Sequence, residues 1–312
     1  MDRSSKGCFS IVIPTHNRYE KLKNLLDTID RVNPPNLEEV IIVDDSEKKE
    51  HIFTGYGNLA IRIITSENRM FISEAKNRGF SETTSGIVFF IDDDNQVDES
   101  TFYCPVKLLI ENSDFGAVFP SVLYQRAKEI VWVYATPFKK HRWGHELIGR
   151  NRKRDPWIEN RTIDIDALPN SFAIRKSALE QVGGFSKHFP VYNSAYLALS
   201  LKENGWRVVA HTGSFIYHDV ELPLEFGYWA EHEVSDPDRV KIEVADWFRF
   251  MRVVHRRESM FLVRALARSA FFIAPNSIAY ILKGNKLKYK LIRKEIEGLI
   301  DGLKGSTRSP LK

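Results

Sequence analysis

IVFFIDDDN, residues 87–95, sets an unbroken apolar run against three consecutive aspartates. Residues 87–91 carry no polar interruption, the pattern of a strand buried on both faces in a parallel sheet. The carboxylates Asp92, Asp93 and Asp94 then stand where the chain leaves that sheet. The same arrangement occurs upstream, where residues 39–43 (EVIIV) end in Asp44-Asp45-Ser46. Residues 9–14 (FSIVIP) and Ile61 to Ile64 supply two further apolar strands. Between them, Leu22, Leu25, Leu26 and Ile29 fall on one face of a helix over 18–31, which Pro34-Pro35 stops. A second helix is expected at about 71–83. Strands alternating with helices predict an α/β fold with a parallel sheet and right-handed crossovers. In open sheets of this kind, ligands bind just past the carboxyl ends of the strands.

Residues 115–135 read as one or two more strands. Lys139 to Arg154 holds seven Lys or Arg among glycines and a tryptophan and reads as a mobile loop. A short strand, Phe172 to Ile174, enters a helix ending at Gly183-Gly184. Residues 195–204 are expected helical, 206–210 a strand and 214–218 another edge strand. From about 242 the pattern is helical and basic. The domain expectation is therefore a main domain over 1–240 and a basic helical appendage over 241–312.

With 312 residues, 43% hydrophobic and 28% charged, the chain is long enough for a full core and ordinary for a globular protein, which excludes disordered and fibrous classes. Cys8 and Cys104 have no metal-ligand spacing, so neither a disulfide framework nor a zinc knuckle is indicated. The polar Met1 to Gly7 does not resemble a secretory signal, which gives a cytoplasmic expectation. The net charge is only +4, but Arg249 to Lys294 contains twelve Lys or Arg against one acid, Glu258. Such asymmetry points to an anionic partner. Within it, SAFFIAPNSIAYIL (269–282) is too short to span a bilayer, so interfacial attachment to an anionic membrane is expected. No nucleic-acid module accompanies the basic residues, and no nucleic-acid partner is expected.

Three adjacent carboxylates repel one another unless a cation or donors offset them. Mg²⁺ or Mn²⁺ with a diphosphate is one solution, through hard oxygen ligands. A solvated acidic turn capping a helix at Ser100 is the plainer one. No GxxxxGK[ST] phosphate loop occurs, and the GYGNLA stretch (55–60) precedes a strand where a dinucleotide fingerprint would follow one, so it reads as a turn.

SIVIPTHNR (10–18), VIIVDDS (40–46), Asn68 with EAKNRGF (74–80), and FFIDDDN (89–95) resemble, in order and spacing, the family 2 glycosyltransferases of GT-A fold. Weaker similarity continues through Gly183-Gly184-Phe185 and Asn204-Gly205-Trp206. The resemblance implies a Rossmann-like, mostly parallel sheet flanked by helices, and inverting transfer from a nucleoside-diphosphate sugar of UDP, GDP or dTDP type. Pro14, Thr15, Asn17 and Arg18 would line the base and ribose pocket, joined by Asp44 and Asp45. Lys76 would stand in place of a usual arginine. Asp92 and Asp93 would contact ribose and sugar, and Asp94, with Asp92 and His218, would hold Mn²⁺ or Mg²⁺. The acceptor would be a lipid-linked or cell-surface glycan, reached from the cytoplasmic face of the membrane.

One departure is visible. The family's acidic general base falls here on Asn193 or Ser194, and its following arginine on Ser200. Neither Asn nor Ser acts as a base unaided near neutral pH. Asp166, Asp164 and His188 are the substitute candidates by sequence proximity. The alternative is a sugar-nucleotide-binding pseudoenzyme or partner subunit.

Overall fold

The structure is a computed structural model that describes residues 7–48, 55–139, 143–222, 237–256, 261, 263–267 and 288–304. The chain divides into two compact units, Met1–Lys187 with Ser194–Leu224, and His188–Asn193 with Glu225–Lys312.

The first unit opens with β1 (Phe9–Thr15), α1 (Tyr19–Val32), β2 (Leu37–Asp44), β3 (Ile61–Thr65), α2 (Ile72–Ser81) and β4 (Ile87–Phe90). The four strands form a parallel block in the order β4-β1-β2-β3. Ile11 to Ile13, Val40 to Val43 and Val88 to Ile91 are all fully buried, so β1, β2 and β4 are covered on both faces as their unbroken apolar runs require, while β3 is an exposed edge strand, contrary to its apolar reading. A Cβ on Gly79 would run into Val12, so glycine there lets α2 lie close against β1. Register aligns the strand ends: Val12 pairs with Phe90, which carries Thr15 and Asp93 to the same level three residues on.

The chain continues through β5 (Asn95–Val97), α3 (Glu99–Glu111), β6 (Phe115–Tyr124) and β7 (Ala127–Val133), then the short strands β8 (Phe138–Lys139), β9 (Gly144–His145), β10 (Arg152–Lys153) and β11 (Thr162–Asp164). It ends with β12 (Phe172–Arg175), α4 (Lys176–Gln181), α5 (Asn193–Glu203) and β13 (Arg207–His218). This half of the sheet is mixed. β12 runs antiparallel to β4 and β6, whereas β13 runs parallel to β6 and antiparallel to β5.

Two expectations change here. The separate strands at 206–210 and 214–218 are one strand, whose register shifts between His211 and Phe215. The basic stretch from Lys139 is not simply a loop: β8 and β9 form a hairpin, and β10 joins the sheet edge against β7. Edge pairing satisfies its backbone groups while Arg152 and Lys153 stay exposed. Lys140, His141 and Arg142 lie outside the described residues.

In the second unit, α6 (Pro237–Val254) packs against α7 (Lys288–Lys304). A Cβ on Gly298 would lie 2.5 Å from the Lys241 carbonyl, and one on Gly302 would lie 2.7 Å from Phe248 Cβ. The two glycines, one turn apart, therefore let the helices approach closely. Lys241–Asp301 at 2.9 Å and Lys294–Asp238 at 2.8 Å tie the pair at its surface. No helix among the described residues is long and apolar enough to cross a membrane. The stretch 269–282 lies outside them.

Candidate active site

The three aspartates leaving β4 are held by side chains from four other elements. Thr15, the last residue of β1, donates its hydroxyl to Asp93 Oδ2 at 2.7 Å. Arg18, just before α1, bridges two of the acids, 2.7 Å from Asp93 Oδ1 and 3.0 Å from Asp94 Oδ2. Lys76 of α2 lies 3.0 Å from Asp92 Oδ1. His218 ends β13, where pairing with Asn95 sets it beside Asp94, with Nε2 3.5 Å from Oδ1. The acids do not cap α3. Asp98 does, accepting from Ser100 N–H at 2.8 Å in a capping box with Thr101. The plainer reading of the acidic run is thereby removed.

Burial pushes the Asp93 carboxyl up to about 6, against the pull of Arg18 and the Thr15 hydroxyl. Asp94 is also buried, which raises it. The hydrogen bond and charge of His218, with Arg18 and Lys21, outweigh that and hold it below the usual carboxylate range.

The second acidic strand end is built as tightly. Asp44 is buried and accepts from the Tyr19 hydroxyl at 2.7 Å and from Ser46 N–H at 2.9 Å. Asp45 contacts His16 Nδ1 at 3.0 Å and accepts from Met70 N–H at 2.5 Å. Asn17 sits in the left-handed region at φ 54°. Its N–H donates to Ser46 Oγ at 2.8 Å, and its side-chain oxygen accepts from Glu47 N–H at 3.1 Å. The loop after β1, entered through buried Pro14, is thus latched to the end of β2.

Lys76 is only 4% exposed, and its ammonium lies 6.0 Å from the centroids of both Phe172 and Phe185. The sequence identified Lys76 but not what frames it. Asn77 holds Phe185 by both backbone groups, accepting from its N–H and donating to its carbonyl, each at 2.8 Å. Gly184, at φ 82°, approaches Asn77 too closely for a Cβ. Two further residues had no sequence signal. Trp132 of β7 meets the His218 ring edge-on at 5.3 Å, and the Arg150 guanidinium lies 4.3 Å from the Trp132 ring.

The buried Oδ1 atoms of Asp92, Asp93 and Asp94 lie 3.0, 2.7 and 3.5 Å from Lys76, Arg18 and His218, and the buried Nδ1 of His218 has no hydrogen-bond partner. Carboxylate oxygen with one imidazole nitrogen suits a divalent ion such as Mn²⁺. Among the described residues, however, no three His, Cys, Asp or Glu side chains converge as a complete metal site. Asp94 and His218 could supply two ligands to a cation and would leave the rest of its coordination to other groups.

Residues 10–183 match the family described as Glycosyl transferase family 2. The chain belongs to that family. It is 29% identical over 177 residues to an uncharacterized glycosyltransferase of Haemophilus influenzae, covering 57% of this chain and 56% of the relative. It is 30% identical over 93 residues to the amylovoran biosynthesis glycosyltransferase AmsB of Erwinia amylovora, covering 28% of this chain and 31% of that one. With polypeptide N-acetylgalactosaminyltransferase 5 of Caenorhabditis elegans the identity is 25% over 227 residues, 62% of this chain and 33% of the relative. The chain thus spans about a third of the AmsB and Caenorhabditis elegans relatives and about half of the Haemophilus influenzae one. Among solved structures, GalNAc-T7 with UDP, GalNAc and Mn²⁺ superposes with a TM-score of 0.56 at 12% identity, covering 81% of this chain and 52% of that one. Staphylococcus aureus TarS 1–349 gives 0.51 at 15%, covering 97% and 93%. Both carry the GT-A arrangement anticipated above.

In this chain the position of the expected base, Ser194, lies in the first turn of α5, and Ser200 turns its hydroxyl back onto the Tyr196 carbonyl at 2.9 Å. The substitute candidates are placed differently from one another. Asp164 is ion-paired with Arg207 at 3.1 Å. It lies level with Val209 and Val118, while His218 is level with Tyr124, a separation of about 20 Å along the sheet. Asp166 accepts from Phe138 N–H at 2.8 Å and pairs with Lys202 at 2.5 Å. It begins the loop whose Asn170 meets Asn95, beside the three aspartates, at 2.5 Å. His188 belongs to the other unit.

Proposed function

We propose that this transferase moves a sugar from a nucleoside-diphosphate sugar, with inversion, to a glycan or lipid-linked acceptor at a membrane surface. The observation that carries the reading is the acidic corner. Three consecutive carboxylates are held at the carboxyl edge of a parallel sheet by Thr15, Arg18, Lys76 and His218. The latched loop from Pro14 to Arg18, with Asp44 and Asp45, is the base and ribose side of the site. Lys76 and Arg18 offset the charge of a diphosphate there.

Asp94 and His218, with Asp92, would hold a divalent cation, which supplies charge neutralisation of the departing diphosphate. Two structural neighbours support a metal: GalNAc-T7 is described with UDP and Mn²⁺, and the mannosyltransferase PcManGT of Pyrobaculum calidifontis with GDP-Man and Mn²⁺. Of the three base candidates, Asp166 is the one on the loop that reaches the corner, so it is assigned the acceptor proton. The basic residues of α6 and α7, among them Arg249, Arg252 and Arg293, support attachment of the helical unit to an anionic, cytoplasmic membrane face.

The test is to supply UDP-, GDP- and dTDP-sugars with Mn²⁺ and a polyprenyl-linked acceptor, and read the product's anomeric configuration by NMR. Inverted product is expected. Retained configuration, or no transfer from any donor, would overturn the reading. Nucleotide binding without transfer would identify a donor-binding protein instead.

A further inference from the structure

β7 pairs with β6 through a bulge. Val122 of β6 is level with Val133 and Leu123 with Val131, so Trp132 is the extra residue between them. A bulge re-aims a side chain that a regular strand would send elsewhere. Here the indole reaches past β6, the strand between β7 and β13, and meets the His218 ring edge-on at 5.3 Å and 88°. Arg150 holds Trp132 in turn. Its guanidinium lies 4.3 Å from the indole ring, and its Nη1 donates to the Trp132 carbonyl at 3.2 Å. The turn that delivers Arg150 packs tightly on β7, since a Cβ on Gly149, at φ 80°, would lie 2.5 Å from the Tyr134 ring. Every residue of this stack belongs to the main unit, as the three aspartates do.

A histidine that takes a metal ion is ordinarily oriented by a hydrogen bond from its other ring nitrogen to a carboxylate, a backbone carbonyl or water. His218 turns Nε2 towards Asp94 Oδ1 at 3.5 Å, while its buried Nδ1 has no hydrogen-bond partner. The customary orienting bond is therefore missing, and a 3.5 Å approach to Asp94 is too long to fix the ring by itself. An edge-on aromatic contact has a preferred geometry of its own, so a held indole can set the plane of the imidazole instead.

We propose that Trp132, aimed by the bulge and held by Arg150, is a positioning residue that orients His218 towards a divalent cation at Asp94. It takes the place of the hydrogen-bonded partner that a metal-binding histidine usually has. Trp132 itself supplies no ligand. The inference rests on the metal-binding reading of the acidic corner and names a residue outside that corner on which its affinity depends.

The experiment titrates Mn²⁺ into full-length protein with whichever of UDP, GDP and dTDP the wild type binds, following free Mn²⁺ by its EPR signal against a protein-free control. Trp132→Leu is expected to raise the Mn²⁺ Kd about tenfold, the scale on which outer partners of metal ligands act. Trp132→Phe keeps an aromatic edge and should stay within about threefold. His218→Ala separates orientation from general loosening: on that background Trp132→Leu should add nothing, because the two changes remove the same contribution. Should Trp132→Leu not fold, Arg150→Gln releases the indole and carries the same comparison. An unchanged Mn²⁺ Kd in the Leu variant, or an equal loss with and without His218, overturns the inference alone. A wild type that binds nucleotide but no Mn²⁺ overturns the metal reading, and the inference with it.

Discussion

Asn77 holds Phe185 through both of that residue's backbone groups, each at 2.8 Å, across a sequence separation of 108. A side-chain amide is doing here what a neighbouring strand would do. Phe185 in turn flanks Lys76 and meets Phe90 edge-on at 4.9 Å. Asn77→Ala leaves a buried N–H and carbonyl without these partners, which costs about 1–3 kcal/mol. The expected outcome is a lowered urea midpoint and weaker nucleotide-sugar binding together. Asn77→Asp keeps the acceptor and loses the donor, and should fall between.

Lys76 is buried, and its setting shows why an exchange for arginine would not be neutral. The ammonium sits between two phenylalanine rings and 3.0 Å from Asp92. Lys76→Met preserves the stem and removes the charge. We expect a folded protein with nucleotide Kd raised about tenfold or more, because the charge paired with Asp92 is lost. Lys76→Arg introduces a larger head and should lower stability by about 1–3 kcal/mol, read from denaturation at constant pH.

Asp246 predicts a pH signature. Its carboxyl titrates at about 6 in the folded chain against an ordinary 3.8, so the folded state holds the proton more tightly than the unfolded one. Stability contributed by the protonated form is therefore lost as pH rises from about 4 to 6, and the full cost above that window is about 3 kcal/mol. Asp246→Asn has nothing to titrate there. Urea denaturation at pH 4, 5, 6 and 7.5 should show the wild type losing stability relative to the variant across the window. A difference that does not change with pH contradicts the assignment.

Three strands of the parallel block were legible because they are buried on both faces, so their apolar runs are unbroken from Ile11 to Ile13, Val40 to Val43 and Val88 to Ile91, whereas the edge strand β3 leaves Arg62 and Ile63 exposed. The acidic residues were legible for the same reason, since carboxylates at the end of such a run stand out. The second half of the sheet was not. β13 carries Thr212 and Ser214, both buried at its register shift, and those polar residues split one strand into two on paper. β10 is only Arg152–Lys153 and pairs through backbone alone, which basic side chains do not advertise. Tyr19, Asn77 and Trp132 act through long-range contacts with Asp44, Phe185 and His218, and one sequence carries no trace of such pairings.

The central claim is that the acidic corner binds a nucleotide diphosphate with a metal ion, and calorimetric titration tests it most directly. UDP, GDP and dTDP are titrated with and without Mn²⁺ into wild type and Asp94→Ala. The account predicts that one nucleotide binds the wild type with Mn²⁺ and that this binding is lost in the variant. No binding of any nucleotide, or equal Mn²⁺-dependent binding to both proteins, would contradict it.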